Sequence, residues 1–516
     1  MKSKIKKQQR VQKEIQKLFL VLIFMACASV LGLSFGNAHT HPFLLIFACI
    51  VGAYMAMNIG ANDVANNMGP AVGSKSIGIL GAIFIAMICE AAGAILAGGD
   101  VVNTVKSGII DPSAFSDTRI FILVMLSALI SGALWLHLAT LIGAPVSTTH
   151  SIVGGVLGAG IAAGGLSVAK WEVLISIVAS WIISPLMGGL IAGLFLWFIK
   201  KTITYKQNKP RAAKRMIPIL MFVMGFAFCL YILTKALKNI IVLSVTQSLI
   251  ISLIFAILTF VIMRPIIFRL ADKLDNNKDS INSLFALPLV IAAAFLSFAH
   301  GANDVANAIG PLAAINQMLS DLNITTEASV PLWIMVIGGV GISVGLALYG
   351  PRLIKTVGTE ITELNKIRAF CVAMSAAITV LVASALGLPV SSTHIAIGAI
   401  FGIGFLREFL KSRYRRILET IEDAHNDKPK ELEQFLEKFH KASIERKEIM
   451  LKNLKKNQAE ILLAKKERKI LKKVYKKELV KRSAIRKIIA SWIITVPISV
   501  IFSALVYFIL KHILVF

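Results

Sequence analysis

Two carboxylates sit in apolar sequence with the same neighbours on either side. Residues 60–70 read GANDVANNMGP and residues 301–311 read GANDVANAIGP, identical at nine of eleven positions and 241 residues apart. An unpaired carboxylate in apolar surroundings is costly, so Asp63 and Asp304 each need a partner. Carboxylate and amide oxygens are the hard ligands that a small cation prefers. Asp63, Asp304, Asn62 and Asn303 are therefore candidate cation ligands, with Asn66 and Asn307 offering further amide groups. A second pair of motifs carries the opposite chemistry. GAPVSTTH at 143–150 and GLPVSSTH at 387–394 set Ser147, Thr148, Thr149 and Ser391, Ser392, Thr393 after a proline, at the start of an apolar run. Hydroxyls and unpaired backbone N–H groups at the positive end of a helix form an anion site. The same groups also serve ordinary helix capping. Duplicated cation ligands and duplicated anion ligands fit a carrier that moves an anion together with a cation.

Four other polar residues lie in apolar sequence. Glu90 has no acidic counterpart after the second motif, and its reading is divided between cation ligand and buried ion-pair partner. His300 stands before the second motif where the first has Ile59. His150 and His394 close the two Ser/Thr motifs; a fixed hydrogen bond that shapes each turn is favoured over proton relay. The five cysteines are scattered through apolar runs with no paired spacing, as small buried hydrophobes are. No nucleotide loop is present, since VGSKS at 72–76 lacks the required Gly-Lys adjacency. This argues against an ATP-driven pump, and no cofactor is expected beyond a transported sodium ion or proton.

The elements that must position these residues are membrane helices. With 56% hydrophobic and 16% charged residues over 516 positions, the chain reads as an all-α polytopic membrane protein. Each crossing needs ~20 apolar residues, and thirteen spans are expected: 18–36, 42–59, 77–97, 119–141, 148–165, 172–199, 216–235, 241–262, 284–299, 332–350, 367–387, 391–406 and 489–511. The net charge of +27 is concentrated in residues 1–17, 200–215 and 407–487. The positive-inside rule places all three in the cytoplasm, and the even number of spans between them agrees. Clustering beside apolar spans explains the basic charge without nucleic acid. The two GANDVAN copies then run in opposite directions through the membrane. A third match, ASWII at 179–183 and 490–494, extends the repeat, and its larger offset identifies the charged stretch as an insertion.

The expected organisation follows from these boundaries. A basic N-terminus and first span occupy 1–41, the first membrane repeat 42–199, and a basic linker with connecting spans 200–283. The second repeat begins at 284–406, is interrupted by a charged cytosolic helical insertion at 407–488, and is completed by the last span at 489–516. That insertion is read as a solvated helical hairpin or coiled coil, with docking on anionic membrane lipid or a regulatory partner as the other reading. Inverted-topology repeats with broken helices are an architecture of alternating-access transporters, which bind substrate near the midplane.

The paired GANDVAN and PVSTTH/PVSSTH motifs resemble those of the inorganic phosphate transporter family, often called PiT, across both membrane repeats but not the insertion. The resemblance implies that Asp63, Asn66, Ser147, Thr148 and Thr149, with Asp304, Asn307, Ser391, Ser392 and Thr393, bind phosphate and sodium. It also implies a homodimer. The resulting expectation is a sodium- or proton-coupled symporter importing inorganic phosphate across a bacterial inner membrane. Sulfate, another tetrahedral dianion, is the alternative substrate, and a passive anion channel is the rival class.

Overall fold

The computed structural model describes residues 2–36, 41–115, 117–142, 146–238, 241–320, 330–360, 364–423 and 482–513. The part of the insertion from 424 to 481, and with it the expected hairpin, lies outside the described residues. Among those described, the chain is helical, and β pairing is confined to one isolated bridge between Ile110 and Ala169.

The helices are α1 (Lys2–Phe35), α2 (Pro42–Gly73), α3 (Ile79–Ala97), α4 (Gly99–Asn103), α5 (Thr118–Ile142), α6 (Thr148–Gly164), α7 (Trp171–Ile199) and α8 (Lys209–Tyr231). After a connecting segment come α9 (Val245–Asp272), α10 (Lys278–Leu284), α11 (Ala286–Asp304), α12 (Ala306–Ser320), α13 (Leu332–Glu360), α14 (Lys366–Ala385), α15 (Ser392–Asp423) and α16 (Arg482–Ile513). Among the described residues twelve helical segments are long and apolar enough to cross a membrane, one fewer than the thirteen expected. The difference is α6. Its 17 residues reach roughly 25 Å at ~1.5 Å per residue, short of the ~30 Å hydrocarbon layer.

The helix ends also differ from expectation. The span expected at 42–59 continues through the first motif, because α2 is one helix of 32 residues with GANDVAN in its interior. Pro70 lies inside this helix within a turn of its end at Gly73, where a missing N–H interrupts little of it. The second copy is interrupted only at Val305, which keeps right-handed helical angles between α11 and α12. The larger interruptions lie between α5 and α6 and between α14 and α15, each just before a Ser/Thr run.

Motif glycines have a packing role. A Cβ on Gly60 would lie 1.9 Å from the Ile342 carbonyl oxygen of α13, and one on Gly301 would lie 2.1 Å from the Glu90 carbonyl oxygen of α3. Gly93 of α3 faces the Phe298 carbonyl of α11 equally closely. Lipid supplies no hydrophobic drive between helices, so close backbone approach through small residues must hold them together.

The buried side chains fall into two clusters. One joins the first half of α2, through Ile59, with α5, α6 and α12, which begins after Val305. The other joins the second half of α2, from Val64, with α11 as far as Ala302, and with α14 and α15. Both motifs therefore straddle the boundary between the cores. Going from N to C, α2 passes from the first core to the second, whereas α11 and α12 pass from the second to the first.

Candidate functional site

The four motifs meet at that boundary, and each GANDVAN copy binds the Ser/Thr run of the other repeat. Thr393 Oγ1 donates to Asp63 Oδ1 at 3.1 Å and accepts from Asn66 Nδ2 at 2.8 Å. In the reciprocal arrangement, Thr148 Oγ1 donates to Asp304 Oδ2 at 3.3 Å and accepts from Asn307 Nδ2 at 3.3 Å. Asn307 Nδ2 also reaches Thr149 Oγ1 at 3.2 Å, and Ser392 Oγ donates to Asp304 Oδ2 at 3.3 Å. The hydroxyls thus stand between the carboxylates and the helix starts behind them.

A third carboxylate and an imidazole complete the centre. His300 Nε2 lies 3.1 Å from Asp304 Oδ2 and 3.8 Å from Asp63 Oδ2, while its Nδ1 lies 3.4 Å from Glu90 Oε2. Glu90 Oε1 accepts from Asn67 Nδ2 at 2.9 Å. At most 1% of the surface of each of these four ionisable residues is exposed. Asp63, His300 and Asp304 each offer a ligand atom within 4.8 Å of the others. Glu90 thus stands between His300 and Asn67. Sequence reasoning noted His300 as an asymmetry but gave it no place here. Its signal was the i,i+4 spacing to Asp304, which puts the two on one helical face. Asn67 gave no signal beyond lying inside the motif.

Several buried polar atoms beside the centre have no hydrogen-bond partner among the described residues: Asn62 Nδ2, Asn67 Oδ1, Asp304 Oδ1 and Asn307 Oδ1. Buried polar groups are rarely left unpaired, and these are donors and acceptors available to a polar cargo. Asn303, a candidate cation ligand, is hydrogen-bonded to the turn before Ser391. Its Oδ1 accepts from Val390 N, and its Nδ2 donates to Ser384 Oγ and the Leu388 carbonyl. Asn303 thereby braces the turn before Ser391. Ser147 and Ser391 act as helix caps, accepting from the backbone N–H of His150 and His394 at 3.1 and 3.3 Å. The two imidazoles pack edge to face at 4.5 Å, and His150 lies 3.9 Å from the Trp181 ring.

The turn leading to Ser391 is strapped carbonyl by carbonyl. Lys235 Nζ donates to the Ala385 oxygen at 2.7 Å, Thr104 Oγ1 to Gly387 at 2.7 Å and Trp181 Nε1 to Pro389 at 3.0 Å. Thr149 Oγ1 donates to Val390 at 2.9 Å. Gly387, at φ +67°, supplies the left-handed step that this path requires.

The profile of the "Phosphate transporter family" matches residues 59–503. A Helicobacter pylori protein named "Putative phosphate permease" is 55% identical over 97% of this chain and 96% of its own length. A similarly named protein of Pyrococcus furiosus is 40% identical over 70% of this chain and 88% of its own length. A solved structure named "The sodium-dependent phosphate transporter" superposes with a TM-score of 0.75 at 31% identity, covering 92% of this chain and all of that one. Twelve candidate spans, two copies of each motif and a match across both halves of the chain lead to one assignment: this multi-pass membrane protein belongs to the phosphate transporter family.

Proposed function

We infer that the protein is a cation-coupled symporter that imports inorganic phosphate by alternating access. The observation that carries this reading is the reciprocal pairing of Asp63 with Thr393 and of Asp304 with Thr148 across the core boundary. Both carboxylates are anchored to hydroxyls of the opposite repeat, so movement of one core against the other opens or closes the same site from either side. A phosphate oxyanion takes over the hydroxyl protons that Thr148 and Ser392 give to Asp304 and that Thr393 gives to Asp63, and its own O–H finds an acceptor in a carboxylate so released. Two buried carboxylates this close to an incoming anion repel it strongly in a low-dielectric site. A cation bound beside them offsets that repulsion, which is the physical origin of obligatory coupling. The name of the solved relative favours sodium as that cation, with a proton on the Asp63, His300 and Asp304 group as the second choice.

The test is uptake of labelled phosphate into proteoliposomes under an imposed sodium or proton gradient, with sulfate as competitor. Uphill uptake driven by the sodium gradient and resistant to sulfate is the expected outcome. Uptake that only equilibrates phosphate under every gradient identifies a channel, and equal competition by sulfate removes phosphate selectivity.

A further inference from the structure

A cluster of basic residues lies away from the motif residues, in a cleft of about 980 Å³ between the start of α8 and the end of α9. Four cations line it, Arg211, Lys214, Arg215 and Arg264, against the single carboxylate of Asp272, which Lys214 engages. The cleft is held open by a fixed frame: Lys209 N donates to Asn276 Oδ1 and Asn276 Nδ2 donates to the Gln207 carbonyl, tying the beginning of α8 to the chain that leaves α9. The same two bonds make α8 and α9 antiparallel neighbours.

The order of residues along each wall is informative. Arg211, Arg215 and Ile219 recur at four-residue spacing and share one face of α8, as Phe260, Arg264 and Phe268 share one face of α9. Because the helices are antiparallel, Ile219 and Phe260 both lie at the end away from the α8 start, and the arginines lie nearer the helix ends. Val223, the next residue on the α8 stripe, is 51% exposed and continues the apolar wall. The Arg264 guanidinium and the Lys214 ammonium sit 5.5 and 5.1 Å from the Phe268 ring, which holds both in place. At 28 residues, α9 extends roughly 42 Å at ~1.5 Å per residue, longer than a ~30 Å hydrocarbon layer, and its charged residues, Arg264, Arg269 and Asp272, all fall toward its C-terminal end.

We propose that this cleft binds the phosphate-bearing headgroup of an anionic phospholipid, with an acyl chain lying along Ile219, Phe260 and Val223. A small free anion needs only the donors. The graded wall, cationic at the membrane surface and apolar toward its interior, has the polarity of a phospholipid. The start of α8 adds the positive end of a helix dipole on the same side.

The experiment uses the full chain purified in neutral detergent, titrated with phosphatidylglycerol, phosphatidylcholine or inorganic phosphate. Bound lipid is counted by native mass spectrometry and stability followed by thermal melting. Phosphatidylglycerol is expected to bind and raise the melting temperature, and phosphatidylcholine to do neither. The triple variant Arg211→Gln/Arg215→Gln/Arg264→Gln should bind phosphatidylglycerol on the order of 100-fold more weakly, since each basic residue near a headgroup contributes ~1 kcal/mol. If that variant does not fold, Arg264→Gln alone, on the exposed face of α9, should weaken binding roughly fivefold. Unchanged phosphatidylglycerol affinity in whichever variant folds overturns the proposal, as does equal binding of phosphatidylcholine. Melting stabilised by inorganic phosphate through these same arginines overturns it too, because that makes the cleft a site for the free ion.

Discussion

Asp63 and Asp304 have the same sequence context but different company. Asp63 is bound by Thr393 and Asn66, whereas Asp304 is bound by Thr148, Ser392 and the closer nitrogen contact of His300. Replacing either by Asn keeps the shape and removes one charge. If they hold the coupling cation, loss of a charge-assisted contact at ~1.5–3 kcal/mol weakens cation binding roughly 10- to 150-fold. Calorimetric titration of sodium into purified, monodisperse Asp63→Asn and Asp304→Asn checks this, and unchanged sodium dependence of uptake in both would remove the cation-site assignment. The hydroxyls divide into two groups. Ser391→Ala removes a helix cap and should cost ~1 kcal/mol of stability with a small change in phosphate affinity. Thr393→Val removes the hydroxyl that touches Asp63 and Asn66, so it should lose ~1–3 kcal/mol of stability and phosphate affinity should fall far more than in Ser391→Ala. A paired measurement of melting and phosphate binding separates the two.

At the scale of elements, backbone approach and the strapped turn fix the site. α2 lies so close to α13, and α3 to α11, that a single methyl group cannot enter. Gly60→Ala and Gly301→Ala should each lose at least ~1–3 kcal/mol through overpacking, read as lower melting temperatures. Gly99→Ala, where an added Cβ meets nothing within 4 Å, is the control expected to melt like the wild type. The strap before Ser391 works at longer range. Lys235 and Trp181 touch neither motif carboxylate, yet they hold the carbonyls of Ala385 and Pro389. Lys235→Met and Trp181→Phe keep most of the apolar bulk and remove the donor, so the KM for phosphate should rise with sodium affinity preserved. Equal KM values in both variants would make the strap a matter of stability alone.

The whole molecule is two packed cores joined along the motif helices, with the buried charges on the seam. The alternating access proposed above would be a relative motion of the two cores along this seam. The charged segments bear on orientation. Cysteines placed one at a time at Lys201 and Lys441 in a cysteine-free background should resist an impermeant thiol reagent added to intact cells and react after permeabilisation. Labelling of both from outside would reverse the topology. The basic α8–α9 cleft begins beside the 200–215 segment, so under this orientation its lipid belongs to the cytoplasmic leaflet.

Much of this was written in the sequence because it depends on local chemistry. Apolar run length determines which segments cross a membrane, and recurrence of GANDVAN and PVSTTH/PVSSTH identifies the polar residues that an apolar setting tolerates only in use. Tertiary structure decided what spacing along one chain cannot encode. The partner of Asp63 is Thr393, 330 residues away, and the partner of Thr148 is Asp304, 156 residues away. The helix does not break at the first motif, because Gly60 serves the approach of α13 and not a turn. Asn303 is drawn to a neighbouring turn by three unpaired backbone and hydroxyl groups, although its counterpart Asn62 has identical sequence neighbours. His300 and Glu90, from separate helices with no common motif, become neighbours only when α3 and α11 close to backbone contact at Gly93 and Gly301. Burial then leaves those side chains no solvent to turn to, so Glu90 meets His300 and Asn67 while His300 also reaches Asp304 and Asp63.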